Sequence, residues 1–263
     1  MIDLTRIEQS ALSTRPYEWA FVGGLFAPAA ASELVASYPR DHFKTVKGYD
    51  GEKGYEYEAR SLIAMGGDAA SNAGSLSSAW RRLAADLSSP AYRAAMTRLT
   101  ARDLDSLPME VNVFHYGPGA WLGPHIDLKE KIVTHVFYFN ERWDEADGGC
   151  LQILRSADMS DAAASVAPVV GNSAVLVRSE KSWHAVSAVA GGCRQSRLSM
   201  TVTFYSPGSI STMWPPGDTT TLHDYDGTPG REPTGREATV EAPASWRKLY
   251  ARVASRLKGR GAR

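Results

Sequence analysis

From residue 109 onward, apolar positions come in short runs of six to ten residues: MEVNVFHY, KIVTHVFYFN, CLQILR, SAVLVR, SWHAVSAV and RLSMTVTFY. Gly, Pro, Asn and Asp separate them, and several alternate polar with apolar, as half-buried strands do. Many short strands joined by tight turns predict a β-sandwich, jelly roll or barrel. The pattern before residue 109 differs. Segments 27–39 and 77–101 carry helical periodicity, and Pro90 is placed to open a second helix within the latter. This predicts a mainly helical cap over residues 1–108. The stretch 41–62 between those helices is rich in Gly, Tyr and charge and reads as a hairpin or a mobile loop reaching toward a site built elsewhere.

After Tyr205, residues 206–235 are rich in Pro, Gly and Thr and predict an extended loop. A helix is then expected, with Ser245 as N-cap, and with Trp246, Leu249 or Tyr250, Val253 and Leu257 on one face opposite a basic face. Docking on the domain with the basic face solvated is the simplest role for it. The fold class expected is α+β, divided into a segment 1–108, a strand-rich core 109–207 and an extension 208–263.

Composition adds limits. At 263 residues with 43% apolar content, the chain can bury a sizeable core. Lys plus Arg equals Asp plus Glu at 29 each, so no net field draws it to nucleic acid or to an anionic membrane. Two cysteines, Cys150 and Cys193, suit reduced thiols in a core better than a secreted disulfide framework. The N-terminus lacks the basic start and apolar run of a signal peptide, and no uninterrupted apolar stretch approaches a membrane span. A cytoplasmic monomer or homodimer acting on a small molecule is the expectation.

The chemistry concentrates in YGPGAWLGPHID, residues 116–127. His125 and Asp127 are two apart, so on extended backbone both side chains face one way and can meet one metal. A third ligand must come from a distant strand, and His184 in SWHAV supplies it. Two imidazoles and a carboxylate on one face of an octahedral ion leave positions open for a cosubstrate and dioxygen, which points to Fe(II). Zinc accepts the same donor set. What separates the two is RLSMTVTFY, where Arg197, Ser199, Thr201 and Thr203 share a face. A buried guanidinium followed by hydroxyls seats a dicarboxylate, which a zinc hydrolase does not need.

The chain resembles the prolyl 4-hydroxylase-like branch of the 2-oxoglutarate and Fe(II)-dependent oxygenases over roughly residues 109–207. The likeness rests on Tyr116, Gly117 and Gly119 ahead of the His125/Asp127 pair, on YFNERWDEADGGCLQI, on His184 and on RLSMTVTFY. It implies a double-stranded β-helix (jelly-roll) core and Fe(II), 2-oxoglutarate and O2 as cofactor and cosubstrates. It further implies that Arg197 and Tyr138 bind the distal carboxylate of 2-oxoglutarate, with Tyr116 lining the same pocket and Ser199 beside it. Related halogenases lack the carboxylate, so Asp127 implies hydroxylation or another oxidation. The family strand often carries Trp where Thr203 stands, and Arg194 is a second basic candidate, on the opposite face from Arg197.

The reading that follows is a dioxygenase that oxidises an unactivated C–H of a small metabolite, amino acid or biosynthetic intermediate. A prolyl or peptidyl hydroxylase acting on a protein is one alternative, and a cupin-like metal-binding jelly roll that is not an oxygenase is another. Tyr55, Tyr57 and Arg60 are candidates for substrate contact, and Lys129, Lys131, Arg155 and Arg178 for receiving an acidic substrate group. Trp143 is expected to anchor a turn, and His135, oddly spaced from Tyr138, to face away from the pocket.

Overall fold

A computed structural model of the chain describes residues 1–49 and 54–225. Among the described residues there are four α-helices: α1 (Leu4–Glu8), α2 (Pro28–Ala36), α3 (Ser78–Leu87) and α4 (Pro90–Thr100). Eleven strands accompany them: β1 (Trp19–Val22), β2 (Lys44–Tyr49), β3 (Gly54–Ile63), β4 (Met109–Tyr116), β5 (Trp121–His125), β6 (Lys131–Tyr138), β7 (Leu151–Leu154), β8 (Ala162–Val166), β9 (Ser173–Val177), β10 (His184–Val186) and β11 (Arg197–Tyr205). The expected helix after Ser245 lies outside the described residues.

The strands run in the order β1-β9-β6-β11-β4-β3-β5-β10-β7-β8, with β2 added beside β3. Every pairing between them is antiparallel. This is a nearly closed, jelly-roll barrel. β3 joins its two halves: Glu58–Ile63 pair with β4, whereas Tyr55 and Glu56 pair with Leu122 and Trp121 of β5.

The larger half has two distinct faces. Val111, Val113, Val133, Phe137, Val175, Val177, Met200, Val202 and Phe204 pack outward against the helices in the main core. Their neighbours on the same strands therefore point into the barrel. α3 buries Ala79, Trp80, Leu83, Ala84 and Leu87, a helical stripe that starts where Ser77 caps the Trp80 amide. α4 is capped by Ser89, begins at Pro90 and buries Tyr92, Ala95, Met96 and Leu99. Each such large side chain contributes about 2–3 kcal/mol of transfer free energy. Tyr38 pins this layer to the sheet: its hydroxyl lies 2.9 Å from Phe114 O and 2.7 Å from Ser199 O, so one proton bridges β4 and β11.

One expectation from the sequence is corrected, and for 41–62 the hairpin is the alternative that forms. The first 108 residues are not only a helical cap, because β1, β2 and β3 join the sheet. The 41–62 stretch contributes a paired ribbon, with Lys44 opposite Ala59 and Tyr49 opposite Gly54. Its Gly and charge belong to half-buried strands at a sheet margin, where periodicity is weak. Residues 206–225 contain no helix or strand but are tied down: the Lys44 ammonium donates to Asp218 at 2.6 Å and lies 4.1 Å from the Trp214 ring.

Candidate active site

His125 ends β5, Asp127 lies two residues beyond it, and His184 begins β10. The shared face expected of His125 and Asp127 therefore holds although the strand stops between them. His184 pairs directly with His125 across the β10–β5 ladder. One ligand atom from each of the three residues lies within 4.8 Å of the other two. His125 Nε2 is 3.9 Å from Asp127 Oδ1.

Backbone carbonyls set the imidazole tautomers. His125 Nδ1 donates to Gly123 O at 2.9 Å, and His184 Nδ1 donates to Ser182 O at 2.9 Å. In each case the partner is the residue two positions earlier, so the lone pair is on Nε2, directed toward the carboxylate, as a metal ligand requires. Asp127 is gripped from both sides: Lys131 Nζ donates to Oδ1 at 2.6 Å and Thr134 Oγ1 to Oδ2 at 3.1 Å. Burial would raise the Asp127 carboxyl, but Lys131, His184 and His125 outweigh it and hold the group well below the usual carboxylate range. Two imidazoles that present Nε2 and an ionised carboxylate are a donor set that fits a divalent metal.

Deeper in the barrel, Arg197, Ser199, Thr201 and Thr203 of β11 face inward while Leu198 and the residues alternating with it face outward. Arg197 is opposite Tyr116, and Ser199 lies between Phe114 and Tyr138. The Arg197 guanidinium is 2% exposed, lies 4.8 Å from the Tyr116 ring and 5.3 Å from the Tyr138 ring, and donates to Ser199 Oγ at 2.6 Å. Arg197 Nε and the Tyr138 hydroxyl are buried with no hydrogen-bond partner among the described residues. Such orphans are rare and costly in native proteins, and two in one pocket mark the seat of a missing polar group. Burial holds the Tyr138 phenol above its ordinary pKa, so it is a donor. Tyr116 is also pushed up by burial, to about 12.

The turn beside this seat depends on two glycines at positive φ. A Cβ on Gly148 would fall 2.0 Å from Ala188 O, and one on Gly149 would fall 3.0 Å from Trp143 and 3.5 Å from Arg197 Cδ. Trp143 anchors the turn by donating from Nε1 to Gly148 O at 2.7 Å.

Residues 111–205 match the model of the 2OG-Fe(II) oxygenase superfamily. The chain carries a 2OG-Fe(II) oxygenase domain. Its cofactor is therefore Fe(II), and its cosubstrates are 2-oxoglutarate and O2. No curated protein matches the sequence. Among solved structures, a prolyl 4-hydroxylase from Phytophthora capsici is 17% identical with a TM-score of 0.51, covering 79% of this chain and 66% of that one. A Pseudomonas putida prolyl-4-hydroxylase is 18% identical with a TM-score of 0.49, covering 78% of this chain and 97% of that one. At such identities the likeness concerns the fold.

The structure sorts the remaining candidates. Arg60 is fully buried and bonded to Asp41 and Ser75, which removes it from substrate contact. Tyr57 stacks on Tyr116 with centroids 5.1 Å apart, at the margin of the pocket. Arg194 and Lys129 are exposed, and Arg155 is taken by Asp161. Arg178 leans toward the Asp127 carbonyl at 3.4 Å and pairs with Glu180. His135 points into the helical core, where its Nε2 bonds Ser173 and its Nδ1 bonds Tyr92. Cys150 and Cys193 are free and buried.

Two residues near the site escaped the sequence reading. Thr134 was visible in principle, four positions before Tyr138 and hence on its face of β6. Tyr17, whose ring is buried beside Tyr138, Val136 and Ile153, left no signal in the sequence.

Proposed function

We propose that His125, Asp127 and His184 hold Fe(II) and that Arg197, with Tyr138, Ser199 and Tyr116 around it, binds the distal carboxylate of 2-oxoglutarate. The observation that carries this reading is the pairing, in one barrel, of a three-donor cluster with a buried guanidinium whose Nε has no hydrogen-bond partner among the described residues. Bound together, the metal, 2-oxoglutarate and O2 supply the oxidising power, with succinate and CO2 as by-products and a hydroxylated substrate as product.

The chain's own residues position and shield. The carbonyls of Gly123 and Ser182 aim the two Nε2 atoms, and Lys131 and Thr134 orient the carboxylate between them. Val136, Leu151, Ile153, Ala174 and Leu176 make an apolar wall that excludes water from the interior. Arg197 neutralises the far carboxylate without exposing it to solvent.

For the substrate, the reading is a C–H bond of a free small molecule. A strap formed by residues 211–218 supports it. Trp214 Nε1 donates to the inward-facing Asn112 at 2.7 Å, Ser211 to the inward-facing Glu110, and Lys44 ties Asp218 to the sheet. These ties narrow the approach along β4 and disfavour a bulky protein segment. The prolyl hydroxylases of similar fold make a prolyl peptide the rival substrate.

The test is an anaerobic titration of metal-free protein with Fe(II) and 2-oxoglutarate, following the visible charge-transfer absorption of the chelate. The band is expected in the wild type, and at much higher 2-oxoglutarate in Arg197→Ala. Metal binding without a band would defeat the oxygenase reading. Succinate release with free amino acids, compared with a proline-rich peptide, then separates the two substrate classes.

A further inference from the structure

The interior cluster around Tyr138 includes one buried residue from outside the matched domain, Tyr17, with the half-buried Trp19 packed against it. Residues 13–19 form a closed loop: Ser13 N donates to Trp19 O at 2.7 Å and Trp19 N to Ser13 O at 3.1 Å. Trp19 then pairs with Leu176, which fixes the loop to the edge of β9. At its tip Tyr17 turns inward and packs with Val136 and Tyr138 of β6, Leu151 and Ile153 of β7, Val166 of β8, and Ala174 and Leu176 of β9. Those residues come from both halves of the jelly roll, so the ring closes the gap between the two open edges.

Hydrophobic burial accounts for the ring. It does not account for the hydroxyl. Tyr17 is 4% exposed, and its oxygen is buried with no hydrogen-bond partner among the described residues. A phenylalanine would fill the same space without leaving a donor unsatisfied. The two orphaned polar atoms described above, on Tyr138 and Arg197, border the same interior. Burial first, and then the Asp127 carboxylate, raise the Tyr17 pKa, so the phenol keeps its proton and lies within electrostatic reach of Asp127.

We propose that Tyr17 is a cosubstrate-binding residue whose hydroxyl donates a hydrogen bond to the metal-side end of 2-oxoglutarate. The inference rests on the assignment of the Arg197 seat to 2-oxoglutarate. It makes the N-terminal loop a wall of the cosubstrate seat, which the 111–205 domain alone leaves open. Arg197 holds one end of the dicarboxylate and Tyr17 steadies the other.

The experiment compares wild type, Tyr17→Phe and Arg197→Gln, loaded with Mn(II), by 2-oxoglutarate titration using calorimetry and thermal shift. Tyr17→Phe is expected to raise the 2-oxoglutarate Kd about tenfold, the scale of one hydrogen bond to a charged acceptor. Its Mn(II) affinity should match wild type, and its metal-free melting temperature should be equal or higher. A purely structural tyrosine would leave the Kd unchanged. If wild type binds, Arg197→Gln does not and Tyr17→Phe equals wild type, this proposal is overturned and the functional reading stands. If wild type itself binds no 2-oxoglutarate, both fall.

Discussion

His184 stands directly across from His125 in the β10–β5 ladder, and their ring centroids are 4.2 Å apart. The proximity is a property of strand register. Slipping either strand by one residue would send one imidazole to the outside of the barrel, so the site is specified by the same pairing that specifies the fold. Each ring is then held by the carbonyl two residues before it.

Replacing either histidine by alanine is therefore expected to leave the fold intact and remove metal binding. Losing an outer hydrogen-bond partner of a ligand costs about 10–100-fold in affinity, so losing a ligand should cost at least about 100-fold. Titration with Mn(II) by calorimetry, beside far-UV circular dichroism, checks this. Wild-type affinity in His184→Ala would exclude that residue from the site.

Arg197 invites a prediction with opposite signs in two states. Its guanidinium is buried with only part of its donor set used. In Arg197→Met the metal-free protein is expected to be as stable as wild type or more so, because an incompletely paired buried charge is gone. The same variant should lose roughly 10–100-fold in 2-oxoglutarate affinity. Melting curves with Mn(II), with and without 2-oxoglutarate, read both effects. A ligand-induced rise equal to that of wild type would show that Arg197 does not hold the dicarboxylate.

How much of this was legible in the sequence follows from whether the information is local. The two faces of β11 could be read from alternation alone, because Leu198, Met200, Val202 and Phe204 meet the helical layer while Arg197 and Ser199 meet the pocket. Pro90 as a helix start was equally local. The opposition of His125 and His184 is not, since register between distant strands depends on the whole barrel. β8 was missed because AAASV is small and half exposed, with little apolar signal. β1 was missed because four residues are too few to establish a period. The inward turn of Tyr17 depends on a loop closure that no spacing encodes.

Buried His135 should make the protein sensitive to acid. Ser173 Oγ donates to Val22 O, so His135 Nε2 donates to Ser173 and Nδ1 accepts from Tyr92. Burial depresses the pKa to about 3, well below the value near 6.5 of an unfolded chain. Between these values the unfolded state binds the additional proton. Stability is therefore fully present above about pH 6.5 and is lost as pH falls toward 3, at up to about 1.4 kcal/mol per pH unit. Urea unfolding midpoints of wild type and His135→Gln between pH 7 and 4 test this. The variant should have the lower midpoint at pH 7 and the shallower slope, and parallel slopes would assign the acid sensitivity elsewhere.

Lys131 yields the last prediction, because it binds the same carboxylate oxygen that faces the histidines. Its ammonium lies 2.6 Å from Asp127 Oδ1, which in turn is 3.9 Å from His125 Nε2. In the metal-free protein this cation offsets the cost of a buried carboxylate, and Thr134 alone cannot replace it. The lysine is about a quarter exposed, so the pair ranks between a surface and a buried ion pair. Lys131→Met is expected to destabilise the metal-free protein by about 1–2 kcal/mol at pH 7. A divalent metal supplies positive charge to the same carboxylate, so the deficit should shrink when Mn(II) is bound. Urea unfolding in chelator and in Mn(II) measures both values. An equal deficit in the two conditions would mean that Lys131 and the metal act on the fold independently, and no deficit in chelator would mean that the ion pair contributes nothing.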